Sequence, residues 1–462
     1  MIVPRLEKDI GIEVYATPSP GIGGAIRRYA EDFVVEEVLV DGSHASTKQP
    51  VVSDGQSVLG SSLEKKDRYL LCVLVKQNWD TFSAIKTVAE KLGISQNRIQ
   101  IAGIKDAKAL TAQHVTIEGI SVSEAEKIRF KDLQLYPVGY VRQELSAYYL
   151  LGNSFHITIS LVNCPETTMK KRVLHVAGEL EQLGGVPNFF GHQRFGTTRP
   201  ITHLVGKELV KGNFRKAVML FLAKPSVHEH PASRKAREEL RATLDFERAL
   251  RDFPKQLRYE RLMLKHLVAN PKDFVGAFRR LPKKLQELFP QAYQSYLFNR
   301  FLSRRLSRGL SLNKTEIGDY VVSVDKTGLP LPVTNRKVTM NNKTEVNSAL
   351  QTGKMRLAIP LVGFKQRLSE GVQGEIERQV LNEEKVQTKN FKIENLPELS
   401  LRGGLRTTTV QLSNFALEEA SRDPTEPSKR LVKISFTLPR GAYATIVLRE
   451  VMKPRNLIKS GF

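Results

Sequence analysis

Residues 102–113 read A-G-I-K-D-A-K-A-L-T-A-Q and place an aspartate, Asp106, on a loop between two predicted strands. Residues 99–102 form a short apolar run that is typical of a buried strand. Residues 114–118 alternate polar and apolar side chains, as a half-exposed strand does. Lys105 and Lys108 lie close to Asp106 in the sequence. Nearby cations favour the charged form of a carboxylate. Asp106 is therefore a candidate nucleophile or base, although Gly and Asp are also common in ordinary turns.

The segments around this loop predict an α+β domain. Residues 70–75 are apolar and predict a buried strand, and the helix that follows can be capped by Asp80 or Thr81 and ended by Gly93. Residues 155–161 alternate as an amphipathic strand does, and a helix is expected over residues 166–184. This order of strands and helices predicts a mixed or antiparallel sheet.

The predicted secondary structure and the charge of the chain change after about residue 212. Residues 216–305 are mostly helical in pattern and strongly basic, and residues 318–374 alternate short strands with Gly, Pro and Asn turns, which predicts a small mixed subdomain. Residues 432–438 again form an alternating strand, and residues 442–451 have a helical pattern. A chain of 462 residues is long for one core, so we expect two domains.

The charge balance favours a polyanionic partner. Lysine and arginine number 71 against 48 aspartate and glutamate residues, which gives a formal net charge of +23. Because the excess recurs along the chain, nucleic acid is the partner that it favours most. A soluble protein that is merely basic is the alternative.

The sequence lacks several common motifs, which limits the cofactors and the cellular compartments that we expect for the protein. The two cysteines lack C-x-x-C spacing, which favours a reducing compartment and argues against a disulfide framework or a cysteine-based zinc site. No apolar run approaches the roughly 20 residues that span a bilayer, and the first residues lack the apolar core of a signal peptide. We therefore expect a cytoplasmic protein with no membrane contact. Nucleotide-binding motifs are missing too, so no cofactor and no metal are expected, and a monomer is the simplest expectation for an open oligomeric state.

Two further stretches are candidate RNA contacts. Residues 188–196 read N-F-F-G-H-Q-R-F-G, which is either an aromatic cluster that closes a core or a stacking platform for bases with Arg194 beside it. On a predicted helix, Arg300, Arg304 and Arg308 stand four residues apart and share one face. That face is either solvated or in contact with phosphates.

Four stretches of the chain resemble the signature stretches of the TruD family of tRNA pseudouridine synthases, in the same order. They are E-D-F-V-V-E-E at 31–37, the 102–113 stretch, the 188–196 stretch and L-P-R-G-A-Y-A-T at 438–445, and Q-S-Y-L-F-N at 294–299 resembles a fifth. A lone G-x-K-D would be a weak signal, but this ordered set spans nearly the whole chain and is highly specific.

The resemblance implies roles for individual residues. The catalytic aspartate of that family stands in the G-x-K-D stretch, so the catalytic role falls on Asp106. The functional Asn and Phe of N-x-F-G fall on Asn188 and Phe190, and the basic residue before E-D-F matches Arg27, where lysine is more usual. The expected substrate-binding residues are Asn188, Phe190, Arg27, Lys105, Arg194, Arg300 and Arg304.

The resemblance also implies an architecture and a substrate. A split pseudouridine synthase domain, α+β with a mixed or antiparallel sheet, would comprise residues 1–212 and 400–462. A large inserted α+β TRUD domain would comprise residues 213–399. The implied substrate is tRNA, with uridine 13 as the target.

The implied reaction breaks the N1–C1′ bond of uridine, turns the uracil and joins C5 to C1′ without redox change. An ionised aspartate either attacks the sugar or takes part in removing the C2′ proton. A non-catalytic RNA-binding or RNA-chaperone protein is the alternative, but it would not need Asp106. A glycoside hydrolase normally needs two carboxylates flanking the bond, and the central motif supplies one.

Overall fold

The computed structural model of the protein describes residues 2–48, 58–63 and 67–462. The chain forms two compact units. The sheet unit comprises Thr17–Val186 and Val410–Phe462, and the helical unit comprises Met1–Ala16 and Pro187–Thr409. These compact units end at positions other than the expected domain limits of 212/213 and 399/400. The expected limits stay predictions.

The described residues contain the following strands and α-helices, numbered in chain order. The strands are β1 (Phe33–Leu39), β2 (Tyr69–Gln77), β3 (Ile99–Ile101), β4 (Leu110–Glu118), β5 (Arg129–Phe130), β6 (Leu133–Val141), β7 (Leu150–Val162), β8 (Val186–Pro187), β9 (Tyr320–Val324), β10 (Pro330–Lys337), β11 (Met355–Leu361), β12 (Gly404–Thr407), β13 (Thr409–Val410), β14 (Ser413–Arg422) and β15 (Arg430–Pro439). The helices are α1 (Arg5–Asp9), α2 (Thr81–Leu92), α3 (Val122–Ala125), α4 (Glu166–Gln182), α5 (Thr202–Val210), α6 (Phe214–Ala223), α7 (Pro231–Thr243), α8 (Phe246–Asp252), α9 (Arg258–Ala269), α10 (Phe274–Arg279), α11 (Lys283–Ser307), α12 (Lys343–Gln351), α13 (Gly371–Glu384) and α14 (Ala444–Met452).

The sheet unit is built on a mixed sheet of nine strands. Its order is β14-β15-β7-β1-β4-β2-β6-β5, with β3 also paired to β4. β1 and β4 run parallel, whereas β7 and β2, on either side of this pair, run antiparallel to their neighbours. The predicted α+β class with a mixed sheet is confirmed.

β4 differs from the expected half-exposed strand because it is buried along nearly its whole length. It lies inside the sheet, with β2 on one side and β1 and β3 on the other. A hydrophobic cluster covers each face: Val115 belongs to one cluster and Ala112 to the other. The prediction of a half-exposed strand, which rested on the alternation of polar and apolar residues, is therefore wrong for β4, because its polar side chains are buried as well.

Helix α2 has the predicted ends. The Asp80 carboxylate accepts hydrogen bonds from the backbone N–H groups of Phe82 and Ser83, at 3.1 and 3.0 Å, which caps the first turn. Gly93 ends the helix with φ of 66°, a conformation that glycine adopts without strain. Phe82 of the same helix is exposed, because it lies outside the buried stripe of Thr81, Ala84, Ile85, Val88 and Ala89.

The helical unit is organised around α11, a helix of 25 residues that packs against α5, α13 and β11. Tyr293, Leu297 and Phe301, which stand four residues apart on α11, are fully buried. Strands occur as expected within residues 318–374, where β9, β10 and β11 form a four-stranded sheet with β12 in the order β10-β9-β11-β12. A separate subdomain over these residues stays a prediction.

Two helix-interior glycines provide a test of this packing. A Cβ atom at Gly206 in α5 would meet the backbone oxygen of Phe289 at 1.9 Å, whereas at Gly178 in α4 it would meet nothing within 4 Å. We expect Gly178→Ala to raise the free energy of unfolding by about 0.5–1 kcal/mol, because alanine loses less backbone entropy. We expect Gly206→Ala to lower it by about 1–3 kcal/mol, because α11 must shift.

Urea unfolding followed by circular dichroism measures both changes. The pair controls for helix propensity, since both substitutions are the same and both sites lie inside a helix. Equal stabilisation of the two variants would contradict the close packing of α5 on α11.

Candidate active site

Asp106 lies on the loop between β3 and β4, and its side chain is 38% exposed. The neighbouring Ile104 is exposed as well. The loop therefore presents a carboxylate that a large substrate can reach, while the strands on both sides are buried in the sheet unit.

Arg27 supplies the cation that pairs with this carboxylate. Its Nη2 atom lies 3.6 Å from Asp106 Oδ1, and its side chain is only 14% exposed. The guanidinium stacks 3.9 Å from the ring centroid of Phe33, and Nη1 donates to the backbone oxygen of Gly461 at 3.4 Å. Burial lowers the pKa of Arg27, and the charge of Asp106 opposes that effect. The backbone of Arg27 is left-handed, with φ of 57°, a rare conformation for a side-chain-bearing residue that marks a constrained position.

Lys105 does not take the place beside Asp106 that the sequence suggests. Its Nζ atom lies 2.7 Å from Glu37 Oε1 and donates to Asn153 Oδ1 at 2.8 Å. Both side chains of the ion pair are almost fully buried, at 3% and 0% exposure. Lys105 is therefore a structural cation beneath the loop, because Glu37 and Asn153 hold its ammonium in the buried interior.

Glu37 is held as a buried anion. Burial alone would raise its pKa, but the hydrogen bond with His114 and the charge of Lys105 outweigh that effect and lower the pKa below its ordinary value. Glu37 Oε2 accepts a hydrogen bond from the backbone N–H of His114 at 2.9 Å. The carboxylate thus connects β1, β4 and the Asp106 loop.

Three further side chains anchor the loop through its backbone. Lys76 Nζ donates to the backbone oxygens of Asp106 and Trp79, at 2.9 and 2.8 Å. The hydroxyl of Thr81 bonds both the backbone N–H and the backbone oxygen of Lys105. Gln113 completes the set by donating to the backbone oxygen of Gly103 at 3.0 Å. These contacts fix the path of the loop on both sides of the exposed carboxylate.

Lys76 is a buried amine in an apolar strand. Burial lowers its pKa to about 8, and the charge of Asp106 acts in the opposite direction. Sequence reasoning missed this residue, although a lysine that directly follows the apolar run at residues 70–75 was an available signal. It also missed Glu37 as the partner of Lys105, for which no local sequence signal exists.

The aromatic loop at residues 188–196 lies in the helical unit, and its phenylalanines are buried. Asn299 fixes its backbone by accepting from the N–H of Phe190 at 2.8 Å and donating to the oxygen of the same residue at 3.0 Å. The guanidinium of Arg406 stacks 4.0 Å from the Phe190 ring centroid and also donates to both oxygens of Asn188. Arg194 lies farther from that ring, at 5.9 Å.

The structure thus brings Asn188, Phe190 and Arg194 together in one unit, and Asp106, Arg27 and Lys105 together in the other. The buried rings favour the interpretation of a cluster that closes a core. Stacking of a base on Phe190 stays a prediction. Arg406 was missed, since the sequence offers no signal that connects it to residues 188–196.

Arg300 corrects the expectation of an open arginine face. Its guanidinium contacts Glu383 and Glu384, at 2.5 and 2.9 Å, and Glu13 at 3.3 Å, and its side chain is 10% exposed. Arg304 shares Glu13 and Glu383. The four-residue spacing does align these arginines, but carboxylates of α13 and of the first residues already lie against them. Contact of Arg304 with phosphates stays a prediction.

Comparison with known proteins identifies the class. The family described as tRNA pseudouridine synthase D (TruD) matches residues 9–451. A protein of Methanosarcina mazei named "Probable tRNA pseudouridine synthase D" is 40% identical over 99% of both chains. A relative with the same name from Methanopyrus kandleri is 38% identical over 83% of this chain and 85% of its own. A Methanosarcina mazei crystal structure described as "Putative tRNA pseudouridine synthase D (TruD)" superposes with a TM-score of 0.84, at 38% identity, over 98% of this chain and 99% of that one.

These matches define an enzyme class, the pseudouridine synthases, which are isomerases. The chain belongs to the tRNA pseudouridine synthase D (TruD) family. The family resemblance inferred from the five sequence stretches is therefore confirmed.

Within residues 2–48, 58–63 and 67–462, no helix combines the length and apolar character needed to cross a bilayer. The same residues contain no group of three or more His, Cys, Asp or Glu side chains arranged to hold a metal ion.

The pKa of Lys76 predicts a specific dependence of stability on pH. Below pH 8 the lysine is protonated in both states, so the folded state carries the full cost of a buried charge. As the pH rises from about 8 towards 10.5, the folded state releases this proton first, and the unfolded state binds more protons. We therefore expect the free energy of unfolding of the parent protein to rise across this window relative to that of Lys76→Met.

Urea unfolding of both proteins at several pH values between about 7 and 10 measures this difference. Lys91→Met, at an exposed position of α2, is the matched control and should track the parent protein. Parallel pH profiles for the parent protein and Lys76→Met would contradict the assignment.

The Lys105–Glu37 ion pair predicts strong coupling between two substitutions. Glu37→Gln leaves the ammonium of Lys105 buried without its carboxylate, so we expect a loss of about 3–5 kcal/mol in the free energy of unfolding. Lys105→Met leaves Glu37 uncompensated and should cost a similar amount. The double variant should recover most of the loss, because neither charge remains.

A double-mutant cycle from urea unfolding measures the coupling free energy. Simple addition of the two single losses would show that the ion pair does not hold the loop.

Proposed function

We propose that this protein isomerises uridine 13 of tRNA to pseudouridine and that Asp106 is the catalytic residue. One observation carries the proposal: the exposed carboxylate of Asp106 lies 3.6 Å from the buried guanidinium of Arg27, on a loop that Lys76 anchors from beneath. A catalytic group must be held close to its productive geometry, and this anchoring supplies that constraint. The target position, uridine 13, rests on the family resemblance.

The reaction suits a lone carboxylate. Breaking N1–C1′ and joining C5 to C1′ moves a proton from C5 and gives one to N1, so no atom of the base is lost and no electrons are exchanged overall. The carboxylate of Asp106 either attacks C1′ to form a covalent intermediate or accepts the C2′ proton. Both routes require its ionised form.

Arg27 has a positioning role in this proposal. Its guanidinium stacks on Phe33 and keeps a fixed cation 3.6 Å from the Asp106 carboxylate. A planar guanidinium that is stacked on an aromatic ring is more firmly oriented than a flexible lysine. Arginine thus performs the task for which lysine is more usual at this position of the family.

Phe190 and Asn188 are proposed to contact the tRNA. A base must leave its stack before an enzyme can act on its glycosidic bond, and aromatic side chains stabilise unstacked bases by about 1–3 kcal/mol. Arg406 covers one side of the Phe190 ring, so it supplies a cation to the same contact. The substrate tRNA is the partner we propose, bound by a monomer in the cytoplasm.

The decisive variant is Asp106→Asn, which keeps the size of the side chain and removes its charge. We expect the single-turnover rate of pseudouridine formation to fall by at least about 100-fold, while affinity for tRNA changes little. The reaction is measured on an unmodified tRNA transcript, with pseudouridine mapped at nucleotide resolution. A transcript with cytidine at position 13 should give no product.

Asp132→Asn is the matched control, because Asp132 is an exposed aspartate at a turn of the same unit, between β5 and β6. It should react at the parental rate. An Asp106→Asn variant with near-parental turnover would overturn the catalytic assignment, and product at another uridine would overturn the target position alone.

A further inference from the structure

Two grooves open beside the turn that joins α5 to α6 in the helical unit. The larger has a volume of about 740 Å³ and lies between this turn and the start of α10, with Arg215, Lys216 and Lys272 in its walls. The smaller has a volume of about 410 Å³ and is lined by Lys211, Lys389 and Lys392 among others. Both grooves share Gly212 and Phe214, so they form one continuous surface, which we call the basic double groove.

The charge of the basic double groove is strongly one-sided. Its walls carry six cations and only two carboxylates, those of Asp273 and Glu394. Asp273 is already engaged, since its oxygens contact His266 Nε2 at 2.9 Å and the backbone N–H of Gly276 at 2.8 Å. The negative charge inside the grooves is therefore too small to balance the positive charge.

Five of these six cations have no ionic partner among the residues that the structure describes. Lys216 pairs with Glu208 at 2.9 Å. Among the described residues, no carboxylate lies within ion-pair distance of the other five, which are Lys211, Arg215, Lys272, Lys389 and Lys392. Burial and the charge of the nearby Lys207 lower the pKa of Lys211, as expected where positive charges crowd together.

We propose that the basic double groove binds the phosphodiester backbone of the substrate tRNA. The proposal rests on the proposed function and adds a binding surface to it. Unpaired, exposed lysines and arginines contribute to affinity by releasing counterions from phosphates. A second copy of this chain does not suit the surface, because it carries the same formal net charge of +23. In contrast, the guanidinium of Arg300 already faces three carboxylates.

The test is the triple variant Arg215→Gln, Lys272→Gln and Lys389→Gln, which removes one cation from each of three chain segments around the grooves. Equilibrium binding of full-length tRNA is measured as a function of salt concentration. Each lost phosphate contact makes the slope of log affinity against log salt shallower by about 0.7–0.9. We therefore expect weaker binding and a slope shallower by about two to three units. The single-turnover rate at saturating tRNA should stay parental.

The matched control removes the same net charge from an exposed stretch of the sheet unit, by Lys127→Gln, Arg129→Gln and Lys131→Gln. It should retain the parental salt slope. An unchanged slope in the groove variant, or an equal change in the control, would overturn the proposal, because binding would then depend on overall charge or on another surface.

A polyglutamate peptide separates RNA from an acidic protein as the occupant. Loss of peptide binding in the groove variant, with tRNA binding intact, would overturn the proposal in favour of an acidic protein. The measured loss of tRNA affinity in the groove variant does not depend on whether the protein forms pseudouridine. If the parent protein formed no pseudouridine but the groove variant lost tRNA affinity, the proposed function would fail and the binding surface would stand.

Discussion

The buried ion pair between Lys105 and Glu37 is the interaction on which the geometry of the Asp106 loop depends. Each ion costs several kcal/mol to remove from water, and the cost is offset only because Asn153 and His114 complete the polar contacts. Such a pair adds little to stability compared with an apolar core of the same shape. Its effect is on side-chain direction, since it holds the ammonium of Lys105 in the buried interior while the carboxylate of the next residue, Asp106, stays accessible.

This arrangement divides the cations around Asp106 by task. Arg27 lies beside the carboxylate and forms an ion pair with it, whereas Lys76 donates to the backbone oxygen of the same residue and holds its position. Lys105 has neither task, because its ammonium is paired with the carboxylate of Glu37. Three buried cations thus lie around the exposed carboxylate of Asp106. Of these three, Arg27 is the one whose side chain forms an ion pair with the carboxylate oxygens.

Much of the fold could be predicted because its signals are local. Asp80 and Gly93 define α2 through capping geometry that a few neighbouring residues determine. The position of Asp106 on a loop likewise follows from Gly103 and the strands on either side. The direction of a side chain is different, because it depends on partners that are distant in sequence. Lys105 meets Glu37 and Asn153, which lie 68 and 48 residues away along the chain.

The arginines of α11 illustrate the same limit. Their alignment on one face follows from helical periodicity, but the carboxylates that cover Arg300 come from Glu383 and Glu384, more than eighty residues later. On β1, strand alternation sends Glu36 towards Thr47 and the adjacent Glu37 towards His114. One residue of register thus decides which glutamate reaches the loop, and the sequence alone does not reveal that choice.

The order of strands in the sheet also has a consequence for how the chain is made. β7 pairs with β1 on one side and with β15 on the other, yet β15 begins only at Arg430, after the whole helical unit has been synthesised. At about 5–20 residues per second, one edge of β7 waits roughly ten seconds or more for its partner on the ribosome. During that interval it is an unpaired strand edge, which other chains can join. The length of the intervening helical unit, and not the rate at which it folds, therefore sets how long this strand edge stays exposed during synthesis.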